Sequence, residues 1–178
     1  MMTSPAPALP ARFAVLGHPV AHSRSPRMHQ ANFAALGLHA TYEAFDVPEA
    51  ELAGRLNALQ QTGYTGLNLT IPLKARALEL VDEATPLARF LGGVNTLHFC
   101  ANGRRAGDNT DGFGFLASLR ESGLPELTGR RVLLLGCGGT GRALALTCAQ
   151  AGARAILLAN RTTARAAGVG ETNRKSVV

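Results

Sequence analysis

The stretch Val132–Thr162, VLLLGCGGTGRALALTCAQAGARAILLANRT, runs from an apolar segment through a glycine-rich turn into an Ala/Leu-rich segment, then into a second apolar run. Gly136, Gly138 and Gly141 make a G-x-G-x-x-G pattern between a predicted strand and a predicted helix, the context in which that pattern signals a dinucleotide site. The first glycine permits the tight turn, the second lets backbone approach a pyrophosphate, and the third lets helix pack on strand. The N–H groups at the helix start attract the anion. On this reading Gly136, Gly138, Gly139 and Gly141 form the cradle; the alternative is a tight strand-to-helix turn with no ligand. The second apolar run ends in Asn160-Arg161-Thr162, where an NAD site usually carries Asp or Glu for the ribose 2′-hydroxyl. A guanidinium can instead pair with a 2′-phosphate and a hydroxyl can donate to it, which favours NADP(H) over NAD(H). Arg161 as a solvated charge at a helix start is the competing reading.

Upstream, short apolar runs alternate with helical patterns. FAVLG, TYEAFDV and GLNLTIP read as strands, and VNTLHFCANGRRAG as a hairpin turning at Asn102-Gly103. SPRMHQANFAALG reads as a helix with Ser25 at the N-cap, Pro26 in the first turn and Gly37 as the stop. PEAELAGRLNALQQTG carries Leu52, Leu56 and Leu59 at helical spacing; LKARALELVD, TPLARFLG and DGFGFLASLRESG supply further helices. Such alternation implies an α/β fold of parallel sheets packed between helices. We expect a disordered leader over 1–11, a substrate-binding catalytic domain over 12–125, and a partial dinucleotide-binding βαβ domain over 126–178. Residues 131–178 offer two clear strands, so one face and an edge of that second sheet are expected to stand open.

Composition narrows the classes. No apolar run approaches the roughly 18 residues of a membrane span, and the N-terminus lacks the basic and apolar regions of an export signal, so a cytoplasmic protein is expected. Cys100, Cys137 and Cys148 are an odd number without ligand spacing, and the five histidines form no metal pattern; neither a disulfide frame nor a metal site is expected. Residues 1–127 hold 10 Lys/Arg against 11 Asp/Glu and residues 128–178 hold 8 against 1, so the +6 net charge arises entirely at the glycine-loop end. The arginines are dispersed and lack interleaved aromatics, which argues against nucleic acid.

Several polar residues of the first segment suit carbonyl chemistry. GLNLTIPLK puts Asn68 and Thr70 on one strand face with Lys74 just beyond, and GDNTDG supplies Asp111. Ketone reduction needs a proton for the developing alkoxide, and a lysine beside a carboxylate can donate it. Taken alone, Lys74 is more often an exposed helix-start lysine and Asp111 more often an N-cap. Ser23 and Ser25 in HSRSP lie on a loop entering a helix, a corner suited to a carboxylate, although N-capping by Ser25 explains the same residues.

AVLGHPVAHSRSP, FDV, GLNLTIPLK, GGVNT, GDNTDGFGF, LLLGCGGTGRA and ANRT, in this order and spacing across about residues 12–166, together resemble the shikimate dehydrogenase family. The resemblance implies an N-terminal α/β substrate domain followed by an incomplete Rossmann-type NADP-binding domain. It also implies NADPH-dependent, reversible reduction of 3-dehydroshikimate to shikimate in aromatic amino-acid biosynthesis. By it, Ser23 and Ser25 hold the substrate carboxylate, while Thr70, Asn95 and Asp111 bind its hydroxyls. Lys74 with Asp111 is the catalytic pair, Gly136, Gly138, Gly139 and Gly141 take the pyrophosphate, and Asn160, Arg161 and Thr162 take the 2′-phosphate.

The chain departs from the family after Ala167, where GVGETNRKSVV replaces an expected helix. It reads as a C-terminally truncated or frameshifted member with impaired turnover. A non-catalytic shikimate-binding remnant and a quinate/shikimate dehydrogenase are the alternatives. The expected partner is a small molecule, with no membrane and no nucleic acid, and a homodimer is left open.

Overall fold

The computed structural model describes residues 10–124 and 126–162. The chain divides into two compact units: the residues up to Arg89 with Gly93–Asp108, and Phe90–Gly92 with the residues from Asn109 onward. The GVGETNRKSVV tail and all but the last two residues of the expected leader lie outside the described residues.

The first unit runs β1 (Ala11–Gly17), α1 (Ser25–Ala35), β2 (Ala40–Asp46), a single 3₁₀ turn (Glu49–Glu51) and α2 (Leu52–Gln61). It continues β3 (Gly66–Leu69), α3 (Lys74–Leu80), β4 (Glu83–Ala84), α4 (Pro86–Leu91, whose last two residues count with the second unit), β5 (Thr96–Phe99) and β6 (Arg105–Asp108). β1 begins at Ala11, a residue that the sequence assigns to the leader. One six-stranded sheet has the order β2-β1-β3-β5-β6-β4.

The sheet is parallel-rich but mixed, the hairpin read at Asn102-Gly103 supplying its antiparallel strands. β1 pairs parallel with β2 and β3, but β5 pairs antiparallel with both β3 and β6. The β5–β6 pairing follows from the short turn: Gly103, at φ +80°, reverses the chain tightly and its N–H donates to Cys100 O. So brief a connection cannot make the crossover that a parallel neighbour needs. The two-residue β4, which pairs parallel with β6, has no recognisable signal in the sequence.

β1 organises the packing. Ala14 and Leu16 join a core with Val47, Leu52, Leu56, Leu59, Leu67, Leu69 and Leu97, whereas Val15 joins a second cluster with Val20 and Tyr42, flanked by Phe13 and Phe33. Successive residues of a strand face opposite sides, so α2 covers one face of the sheet and α1 the other. Leu52, Leu56 and Leu59 of α2 are all buried, as their helical spacing requires.

The start of α1 corrects the expected cap. Arg24, with φ −90° and ψ −3°, holds the N-cap position and Ser25 is the first helical residue. Ser25 N–H donates to Ser23 Oγ at 3.3 Å, so the upstream serine accepts the bond. At the other end Gly37 adopts φ +63° and Leu38 N–H donates to Phe33 O at 2.8 Å, the left-handed closure that makes glycine a stop.

The second unit contains α5 (Asp111–Glu121), β7 (Arg131–Leu135), α6 (Gly139–Gln150) and β8 (Ala155–Ala159). β7 and β8 pair in parallel, a βαβ unit. Val132, Leu134, Ile156 and Leu158 meet α5 and α6 in one core, while Leu133 and Leu135 on the opposite face of β7 are 61% and 80% exposed. α5 approaches α6 closely at Gly112, where an added Cβ would lie 2.1 Å from Thr147 Oγ1. Gly112→Ala is therefore expected to cost about 1–3 kcal/mol through overpacking. Thr147→Ala, which removes the obstructing hydroxyl, should recover a large part of that loss in the double variant, measured as urea midpoints in a double-mutant cycle.

Candidate functional site

In the first unit the C-terminal ends of β1 and β3 share an edge of the sheet, and loops beyond the C-terminal ends of strands are where α/β sheets bind ligands. Because β5 runs against β3, Thr96 pairs with Asn68, which brings the start of β5 to the same edge. Ser23 and Ser25 lie in the β1–α1 loop and at the first turn of α1, Thr70 just after β3, Lys74 at the first position of α3, and Asn95 just before β5. The fold thus gathers five of the sequence-predicted residues at one edge of one sheet.

Their backbones are interlocked. Thr70 N–H donates to Leu16 O at 2.9 Å, and its Cγ2 lies 2.4 Å from where a Cβ on Gly17 would stand, so glycine is required there for Thr70 to sit against β1. Lys74 O accepts Val94 N–H at 2.9 Å, and a Cβ on Gly93 would lie 3.3 Å from Lys74 Cβ. The GGVNT segment therefore packs directly on the base of Lys74. Lys74 itself is half-buried and Asn95 is buried.

A hydrogen-bonded network fixes the amides. Tyr42 OH donates to Asn68 Oδ1 at 2.6 Å, and Asn68 Nδ2 donates to Asn95 O at 3.3 Å. Thr96 Oγ1 in turn donates to Asn95 Oδ1 at 2.9 Å. Burial pushes the Tyr42 phenol up to about 12, so the hydroxyl stays protonated and serves as a donor at every physiological pH. His29 of α1 stacks on the Tyr42 ring with centroids 4.3 Å apart, and burial holds its imidazole below the ordinary value. The serine loop has its own anchor, since His18 Nδ1 and Asp46 Oδ1 lie 2.5 Å apart while Val20 N–H donates to Asp46 Oδ2 at 3.4 Å.

Sequence reasoning does not assign Asn68 a site role, although it sees the residue on the strand face, and it gives none to Tyr42, His18 or Asp46. A signal for the last pair exists: Gly17 and Asp46 are register partners at the ends of adjacent strands, so the residue after Gly17 falls beside Asp46.

In the second unit Gly136 adopts φ +106°, a conformation that favours glycine. A Cβ on Gly141 would lie 2.1 Å from Gly136 O, so the third glycine permits the close return of helix on loop. A Cβ on Gly138 or Gly139 would meet nothing within 4 Å, leaving their backbone open to approach. No side chain caps the N-terminus of the 12-residue α6. Asn160, Arg161 and Thr162 follow the last residue of β8, and Asn160 Oδ1 accepts Cys137 N–H at 3.1 Å. Asp111 opens α5, and its N–H donates to the Oδ1 of buried Asn109 at 3.2 Å. The residues predicted from sequence are thus distributed over both units.

Residues 15–97 match the family model for the shikimate dehydrogenase substrate binding domain. Over 152 residues the chain is 47% identical to an NADP(+) shikimate dehydrogenase of Symbiobacterium thermophilum, covering 85% of this chain and 51% of the relative. The crystal structure of a shikimate 5-dehydrogenase from Thermus thermophilus in complex with NADP(H) and shikimate superposes with a TM-score of 0.86 at 45% identity, over 94% of this chain and 62% of that one. The shikimate dehydrogenase of Aquifex aeolicus gives a TM-score of 0.88 at 36% identity, over 95% and 62%.

Over 85% of its length the chain is similar to shikimate dehydrogenases.

It spans about half the length of the curated shikimate dehydrogenases that it matches. The shikimate dehydrogenase family model stops at residue 97, before Asp111 and the glycine loop, whereas the pairwise likeness covers 85% of the chain.

The loop anchor is testable by titration. The hydrogen bond with His18 is the main cause holding Asp46 below its ordinary value of 3.8. A depressed carboxylate contributes stability that is present above that ordinary value and lost as pH falls through the lowered one. His18→Ala should move the Asp46 titration, followed by carboxyl-carbon NMR, upward toward 3.8, and should remove that part of the acid dependence of stability.

Proposed function

We propose that the chain carries substrate and cofactor sites for NADP(H)-dependent, reversible reduction of 3-dehydroshikimate to shikimate, with a small molecule and not nucleic acid as its partner, in the cytoplasm. The observation that carries this reading is the gathering of Ser23, Ser25, Thr70, Lys74 and Asn95 along one edge of the first sheet. Two hydroxyls at the start of an 11-residue helix suit an anion. Ser23 Oγ already accepts the Ser25 N–H, which leaves its own O–H to donate to a substrate carboxylate. Thr70, Asn95 and Asp111 supply mixed donors and acceptors for ring hydroxyls. Lys74, with Asp111 as its proposed catalytic partner, holds the proton delivered to the carbonyl oxygen as it becomes a hydroxyl.

The second unit fits NADP(H). Gly138 and Gly139 leave space for a pyrophosphate at the uncapped end of α6, and the segment after β8 offers Arg161 and Thr162 with no carboxylate. Bound NADP(H) supplies the hydride, or accepts it in the reverse direction. Arg161 confers the preference by pairing with the 2′-phosphate.

The open Leu133/Leu135 face of β7 favours a second reading, shikimate binding without turnover. Calorimetric titration of the 178-residue chain with shikimate, alongside NADPH oxidation in the presence of 3-dehydroshikimate, separates the two. Binding with turnover supports the enzyme, binding alone supports the module, and no shikimate binding sinks both.

Two variants test the assigned roles. Lys74→Ala is expected to lower kcat by roughly a hundredfold, the scale for losing a general acid; a raised KM with kcat intact would assign Lys74 to substrate binding instead. Arg161→Ala should cost about 1.5–3 kcal/mol of NADPH affinity and leave NADH nearly unchanged, because a charge-assisted contact to the phosphate is lost only where the phosphate exists. Equal losses for both cofactors would refute that contact.

A further inference from the structure

We infer that Asn160 is a positioning residue that ties the glycine loop to the segment bearing Arg161 and Thr162, and so sets the spacing between the pyrophosphate and 2′-phosphate contacts. This rests on the dinucleotide reading above and departs from the resemblance, which makes Asn160 a phosphate ligand. The geometry points to a tether because the side-chain amide is used at both ends: Oδ1 accepts Cys137 N–H at 3.1 Å and Nδ2 donates to Thr162 O at 2.8 Å. Reversing the amide would set oxygen against oxygen and nitrogen against nitrogen, so the two partners fix its orientation.

The tether has a physical reason. Cys137 is 7% exposed, and its N–H stands between the last residue of β7 and the first of α6. Gly136 N–H already takes Ala159 O at 2.7 Å, the last bond between the strands. The next buried N–H along the loop needs an acceptor or pays the cost of an unmet donor. Asn160, one residue past the end of β8, supplies it with a side chain that spans from one strand end to the other. The same side chain then pins Thr162 O, so Arg161 sits in a two-residue arc closed at both ends. An arc held to the loop keeps Arg161 at a fixed distance from the glycines.

The readout that separates a tether from a phosphate ligand is the pair NADPH and NADH, since both carry the pyrophosphate and only one the 2′-phosphate. Calorimetric or fluorescence titration of the 178-residue chain should show Asn160→Ala weakening NADH roughly 3- to 10-fold through the glycine loop, for the loss of one or two neutral hydrogen bonds, and NADPH by at least that factor. Asn160→Asp keeps the acceptor for Cys137 N–H and places a negative charge where the 2′-phosphate would lie. Its NADH affinity should therefore fall less than in Asn160→Ala and its NADPH affinity more. A merely structural defect would move both cofactors together in both variants. Backbone amide exchange gives a reading that needs no ligand: Cys137 should exchange faster in Asn160→Ala and stay protected in Asn160→Asp, with Gly136 protected in each. Loss of NADPH affinity alone in Asn160→Ala, or an unchanged Cys137 exchange rate, overturns the inference. A wild-type chain that binds neither cofactor overturns the dinucleotide reading, and the Cys137 exchange rate then decides the tether by itself.

Discussion

The alternation along β1 is the constraint from which the first unit follows. Ala14 and Leu16 face one apolar cluster and Val15 the other, so the strand is buried on both sides and must lie inside its sheet with helices above and below. β2 and β3 flank it in parallel, and each connection between them must carry a helix back across the sheet before the next strand begins. Every such crossover leaves its strand at the same edge. The loops that collect there carry Ser23, Ser25, Thr70 and Lys74, so the site is a by-product of satisfying β1. The hairpin adds to this, because an antiparallel β5 starts where β3 ends and delivers Asn95 to the same edge.

Where loops must interlock at that edge, the limiting quantity is space, and glycine provides it. Gly17 admits the Thr70 methyl and Gly93 admits the base of Lys74; in both places a β-carbon would meet a group that helps define the site. Gly141 does the same for the glycine loop, where the obstruction would be the carbonyl of Gly136 and could not swing away as a side chain might. Gly138 and Gly139 face open space, so their value concerns what approaches from outside. One residue type therefore serves two physical ends, internal closure and external access.

Much of this was legible in the chain itself. Leu52, Leu56 and Leu59 announced the buried face of α2, Asn102-Gly103 announced the hairpin, and the glycine pattern announced the βαβ unit, because each depends on residues close together in sequence. What failed or was missed depends on residues brought together by packing. The hairpin's insertion beside β3 made the sheet mixed, a pairing that neither strand encodes alone. Ser25 gave up the cap position because Ser23, two residues upstream, accepts its N–H from within the loop. Tyr42 reads as an ordinary strand aromatic until the fold sets it across β1 from Asn68. The roles given to the site residues went further than local pattern could carry, since they came from the resemblance.

The charge distribution shows the same division between composition and placement. The basic excess lies wholly in residues 128–178, which invites the reading that it serves the phosphates. Arg131 instead opens β7 and Arg154 precedes β8, at the end of each strand opposite the glycine loop. A five-residue strand separates those ends by roughly 15 Å at about 3.3 Å per residue. The screening length at physiological ionic strength is about 8 Å, so these guanidiniums contribute little field at the glycine-loop edge. Arg142 in the first turn of α6 and Arg161 after β8 are the arginines at the correct edge among the described residues. Of these, Arg161 alone follows the end of β8, where the proposed 2′-phosphate contact lies. The proposed cofactor preference therefore rests on one exposed side chain and the backbone that holds it.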